Sequence, residues 1–104
     1  MKLLEKTEKL NELFSLYQGL LTEKQVTYFE MYYHLDYSLK EIPSNFNVSR
    51  NAIHDQLKKT EEHLLNYEKI LKLSENKNKR NKLLNKYLET NDLKYLKDLR
   101  KLDE

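Results

Sequence analysis

YSLKEIPSNFNVSRNAIHDQLKKTEEHL, residues Tyr37 to Leu64, decides the fold. Ser38 and Glu41 have the spacing of a reciprocal N-terminal cap, in which two side chains three residues apart satisfy each other's free N–H groups. They open a short helix through about residue 44 that carries Leu39 and Ile42 inward. Pro43 falls early enough in it for the missing N–H to cost little. Ser44, Asn45, Phe46 and Asn47 make a compact corner, Asn47 being suited to a left-handed conformation. Ser49 then caps a longer helix, and Leu39, Ile42, Val48, Ile53 and Leu57 can lock the two helices together. This is the mechanical core of a helix-turn-helix, whose second helix is held proud enough to enter a DNA groove.

Working toward the N-terminus, Leu3, Thr7, Leu10, Phe14 and Tyr17 recur at helical steps, and Gly19 supplies an end to that helix because it adopts positive φ cheaply. Thr22 and Gln25 repeat the capping spacing and start a second helix. Val26, Phe29 and Tyr33 line one of its faces and Tyr28, Tyr32 and Leu35 another, so it is expected to lie centrally, between partners. Working toward the C-terminus, Ile53, Leu57, Thr60, Leu64, Tyr67 and Leu71 make a stripe along residues 50 to 72. That stripe needs a cover, either an intramolecular helix or a second copy in a homodimer seam. Two further helices are expected at about 75–88 and 92–102, with Thr90 or Asn91 capping the restart. The organisation expected is an N-terminal helix and helix-turn-helix unit over 1–73 and a helical extension over 74–104 packed on the same domain.

Composition narrows the function. The 104 residues are 35% charged with one glycine and one proline, which favours an all-α chain over a turn-rich sheet. Without cysteine there is no disulfide, thiolate metal site or cysteine nucleophile, and a reducing compartment fits. No apolar run is long enough for a membrane span, so no membrane insertion is expected, and cytoplasm is the default. His34, His54 and His63 lie too far apart for a local metal motif, and no glycine-rich phosphate loop or nucleophile elbow occurs. Neither an enzyme nor a cofactor is expected. Net charge is only +2, but residues 75–104 carry nine basic and six acidic groups. Lys77, Lys79, Arg80, Lys82 and Lys86 are the densest cluster there, read either as an RNA or phosphate contact or as a solvated helix face.

At this point the chain resembles the YlxM family, small bacterial proteins similar to region 4 of sigma factors and linked to the signal recognition particle pathway. The resemblance runs through NELFSLYQGLLTEKQVTYFEMYYHLDYSLKEI and NVSRNAIHDQLKKTEEHLLNYEKILKL, covering residues 11 to 73. LLTEKQ, Tyr32 and Tyr33 before DYSL, Glu41 with Ile42, and VSR at 48 to 50 carry it together. Pro43, Asn51 and His54 depart from the family's usual residues, a small side chain, a glutamine and an aromatic. The resemblance implies a sigma-region-4-like, non-catalytic helix-turn-helix protein that regulates or takes part in protein targeting. Implied partners are DNA or signal recognition particle RNA and a targeting GTPase.

In the DNA reading, Ser49 and the first free N–H groups receive a phosphate, Arg50 reaches phosphate or guanine, and Asn51 pairs with adenine. His54 touches a base edge or phosphate, and Lys58 and Lys59 hold the flanking backbone. Solvation, simple capping or helix packing is the alternative for each. Asp55, Glu61 and Glu62 oppose phosphate along the same helix. The second reading is therefore a helical adaptor that binds a targeting GTPase without binding DNA.

Overall fold

A computed structural model describes residues 3–35 and 48–102 of the chain. The short helix expected at 38–44 and the corner at 44–47 lie outside the described residues. Helices α1 (Leu3–Tyr17), α2 (Glu23–Phe29), α3 (Arg50–Leu71), α4 (Leu73–Thr90) and α5 (Lys94–Lys101) make an all-α fold, with no strand among the described residues. The chain divides into two compact units, Met1–Ile70 and Leu71–Glu104.

In the first unit, α1 ends at Tyr17 and tightens into a 3-10 turn, Gln18–Leu20, closed by Leu21 N–H donating to the Gln18 carbonyl at 3.1 Å. Gly19 sits inside that turn without positive φ, contrary to the expected left-handed end. The tighter turn satisfies the terminal carbonyl itself, so no left-handed residue is required. Thr22 and Gln25 form the expected reciprocal cap: Gln25 N–H donates to Thr22 Oγ1 at 3.2 Å, and Thr22 N–H to Gln25 Oε1 at 3.0 Å.

After Phe29 the helix widens into a π segment, Glu30–His34, with Leu35 N–H donating to the Glu30 carbonyl at 3.0 Å. A bond to the fifth residue back lets consecutive residues address one neighbour. Tyr33 and His34 both meet Phe29, with ring centroids at 4.5 and 5.8 Å. Tyr32 and Leu35, expected inside, are exposed.

Two apolar clusters hold α3. Leu64 packs among Leu10, Leu13, Phe14, Tyr17 and Phe29, where the Phe14 and Phe29 rings stack at 4.2 Å. Ile53 and Leu57 pack on Tyr28, with Met31 and Val48 at the edge. Tyr28 and Phe29 thus send α2 into both clusters, the central position expected of it. The hydroxyl of buried Thr60 donates to the Gln56 carbonyl at 2.8 Å, which removes the cost of a polar atom inside the stripe. Ile53, Leu57, Thr60 and Leu64 are therefore covered within the chain; Tyr67 is half-buried and Leu71 is 47% exposed.

Lys72 alone separates α3 from α4, at φ 56° and ψ 33°, a left-handed backbone taken here by neither glycine nor asparagine. In the second unit, Leu83, Tyr87, Tyr95, Leu96 and Leu99 are half-buried where α4 meets α5, and Ser74 is the buried residue. Asn91 ends α4 in a left-handed conformation. Thr90, expected as a cap, donates back to the Lys86 carbonyl at 2.7 Å and accepts Asp92 N–H at 3.2 Å. Asp92 is the side chain that reaches the restart, its carboxylate accepting Lys94 N–H at 3.0 Å.

Leu64→Ala should destabilise the protein by about 2–5 kcal/mol in urea unfolding, and Leu71→Ala by much less, because only Leu64 leaves an internal cavity. Lys72→Gly should raise the unfolding free energy by up to about 1 kcal/mol, by relieving the left-handed backbone.

Candidate nucleic-acid interface on the long helix

The start of α3 is capped as the sequence predicts, with Ala52 N–H donating to Ser49 Oγ at 3.0 Å. From there the helix separates two kinds of residue. The buried stripe faces the clusters, while Arg50, Asn51, His54, Lys58 and Lys59 are all exposed. Arg50, His54 and Lys58 recur every four residues, with Asn51 beside them, so one helix face brings them together. Lys59 is set to the side, lining a shallow cleft of about 290 Å³ with Lys24, Tyr28, Val48, Asp55 and Gln56.

Neither Lys24 nor Gln56 stands out in the sequence. Lys24 lies four residues before Tyr28 on α2, and that register is the signal that could have placed it beside α3.

The acidic residues divide. Glu61 is half-buried, accepts the Tyr33 hydroxyl, and lies 3.7 Å from the Lys6 ammonium. Glu68 accepts the Tyr17 hydroxyl at 2.7 Å. Gln25 Nε2 approaches His63 Nδ1 at 3.4 Å, and the Tyr67 hydroxyl donates to the Leu20 carbonyl at 3.3 Å. These bonds tie the acidic flank of α3 to α1 and α2. Of the three carboxylates that oppose phosphate in the sequence, Asp55 and Glu62 are the ones that remain exposed. Asp55 Oδ1 is 3.9 Å from His54 Nδ1, an ion pair only when that ring is protonated.

The cluster dense in sequence is not one patch in space. Lys79, Lys82 and Lys86 recur at steps of three and four on one face of α4, where Lys79 pairs with Glu75 at 3.4 Å. The Lys86 and Lys94 ammonium groups lie 5.8 and 5.0 Å from the centre of the Tyr95 ring. Lys77 and Arg80 fall on another face of α4. Among the described residues no group of three or more His, Cys, Asp or Glu could hold a metal ion, and no helix is long and apolar enough to cross a membrane.

The described residues thus make an all-α protein whose capped long helix buries one face in the core and leaves the other polar and exposed. A model of the UPF0122 family, described as "Putative helix-turn-helix protein, YlxM / p13 like", matches residues 4–103, and the chain belongs to that family. A UPF0122 protein of Lactococcus lactis subsp. cremoris is 51% identical over 81 residues, covering 78% of this chain and 73% of its own. The UPF0122 protein of Oceanobacillus iheyensis is 51% identical over 84 residues, 81% of this chain and 80% of its own. One from Mycoplasma capricolum is 43% identical over 102 residues, 98% of this chain and 89% of its own. Family membership suggests a general regulatory role associated with the signal recognition particle.

The Tyr33 bond has a pH signature. Burial first, then the hydrogen bond and negative charge of Glu61, raise the Tyr33 phenol well above its ordinary value of 10.0. A folded-state pKa above the unfolded one contributes stability that is fully present below the unfolded value and lost as pH climbs beyond it. Unfolding free energy should therefore fall as pH rises above about 10. Tyr33→Phe should cost about 1 kcal/mol at neutral pH and flatten that fall, as read by urea unfolding across an alkaline series.

Proposed function

We propose that the protein is a non-catalytic helix-turn-helix regulator in the signal recognition particle targeting pathway, and that it contacts nucleic acid through the start of α3. The observation that carries this reading is the division of α3: its apolar stripe is consumed by the core, which leaves Asn51, His54 and Lys58 outward, with Arg50 exposed at the helix start. A helix start also offers free N–H groups and a partial positive charge to a phosphate, and Ser49 orders that end. Arg50 and Asn51 have the donor and acceptor geometry to read guanine and adenine edges. Lys58 and Lys59, joined by Lys24 across the cleft, supply sequence-independent backbone contacts. The nucleic acid is DNA or the RNA of the particle, encountered in the cytoplasm.

Exposed Asp55 and Glu62 favour a second reading, an adaptor that docks on a targeting GTPase and binds no DNA. They also limit the first reading to modest, salt-sensitive affinity, because each adds repulsion within a few ångströms of any bound phosphate.

Replacing Arg50 and Asn51 together by alanine should weaken binding to a selected DNA more than to scrambled DNA. Replacing Lys58 and Lys59 should weaken both and reduce the log–log salt slope by roughly 2. Fluorescence titrations at two salt concentrations, paired with capture of the targeting GTPase, give the contrast. Undiminished GTPase capture by the quadruple variant, with no salt-sensitive nucleic-acid binding by the native protein, would reject the nucleic-acid reading in favour of the adaptor.

A further inference from the structure

Leu73, Lys77, Arg80, Leu84 and Leu88 recur along α4 at steps of four, three, four and four, and so stand above one another on a single face. Leu73 is 42% exposed, Leu84 39% and Leu88 73%; Leu93, in the turn that follows α4, is 60% exposed. Glu75 and Glu89 fall on the opposite side of the helix, so this face carries no carboxylate. Among the described residues Lys77 and Arg80 form no ion pair. The face thus combines exposed leucines with cations that pair with no described carboxylate, inside the segment 75–104 where nine basic groups outnumber six acidic ones.

The charge pattern selects the occupant. A second copy laid parallel would set Lys77 against Lys77, and one laid antiparallel about the centre of the face would bring the two Arg80 side chains together. Either arrangement opposes like charges without a carboxylate to separate them. A protein partner fits poorly too, since protein interfaces are enriched in aromatic anchors and depleted in lysine, and Tyr87, the aromatic residue at the edge of this face, is half-buried where α4 meets α5. Exposed leucines flanked by long cationic side chains can lie in the headgroup layer of a bilayer. There the leucines dip toward the acyl chains and the long cationic stems reach back to the phosphates. We propose that this face of α4 attaches the protein reversibly to the surface of an anionic lipid bilayer, with Leu84 and Leu88 as the apolar contacts and Lys77 and Arg80 as the headgroup contacts. The eighteen residues of α4 give a contact line of about 27 Å. None of this depends on nucleic-acid binding by α3.

The test is co-sedimentation of the full chain with phosphatidylcholine vesicles and with equimolar phosphatidylcholine and phosphatidylglycerol vesicles, at low and high salt. Binding is expected to the anionic vesicles and to fall at high salt. Lys77→Gln with Arg80→Gln should reduce it by at least about tenfold. Leu84→Ser with Leu88→Ser should reduce it as well, with helicity checked by circular dichroism. The cation pair, exposed at both positions, decides the matter if the leucine pair unfolds. Absence of binding by the native protein overturns the proposal, as does binding that the Lys77 and Arg80 substitutions leave unchanged. Retention on immobilised polyglutamate without vesicle binding would assign the face to an acidic protein and overturn the lipid reading equally.

Discussion

Leu64 has none of its surface exposed, and the residues around it come from α1, α2 and α3 at once. Because a helix has a fixed angular period, burying Leu64, Thr60, Leu57 and Ile53 determines how α3 is rotated about its own axis. That rotation turns Asn51, His54 and Lys58 outward. Each buried leucine, isoleucine or phenylalanine contributes about 1.5–3 kcal/mol, whereas each hydrogen bond at the rim contributes about 1 kcal/mol. Packing therefore decides the orientation of α3, and the Tyr17–Glu68 and Tyr33–Glu61 bonds refine it. The π segment serves the same end, since without it Tyr33 and His34 would not both reach Phe29.

Electrostatics on α3 depends on that rotation as well. A string of charges in sequence has no single field until each side chain is assigned a face. Glu61 and Glu68 are drawn to tyrosine hydroxyls on the π segment and α1, and Lys6 offsets Glu61, so their charges act largely within the first unit. Asp55 and Glu62 keep theirs on the outward side, interleaved with Arg50, Lys58 and Lys59. Exposed charges of mixed sign a few ångströms apart nearly cancel beyond a Debye length of about 8 Å. The outward face of α3 therefore projects little long-range field.

Local rules are the legible part of the sequence. The Thr22–Gln25 cap, the Ser49 cap and the four-and-three stripe each depend on residues a few positions apart, so the order of residues alone reveals all three. What it does not reveal depends on tertiary choice. Gly19 shows that a permissive residue need not use its freedom. Lys24 and Gln56 come together only when α2 lies beside α3. The π segment has no sequence signature here, and it coincides with the packing of Tyr33 and His34 on Phe29.

The break at Lys72 is instructive because no cap residue announces it. Extending the α3 stripe past Leu71 at the same steps would land on Ser74, Asn78, Asn81 and Asn85, all polar, so a continuous helix would have no apolar face to bury in that phase. The leucines of α4 instead lie at 73, 83, 84 and 88, out of step with the series before them. A change of phase in the hydrophobic pattern therefore marks the junction where glycine and proline are both missing. A left-handed lysine costs on the order of 1–2 kcal/mol, comparable to one well-buried leucine, and apolar burial at the α4–α5 contact can offset it. The pairing of α4 with α5 uses Leu83 and Tyr87, which leaves Leu73, Leu84 and Leu88 on a face that this hairpin does not cover. The phase shift that ends α3 is thus also what separates the leucines of α4 from the stripe that the first unit consumes.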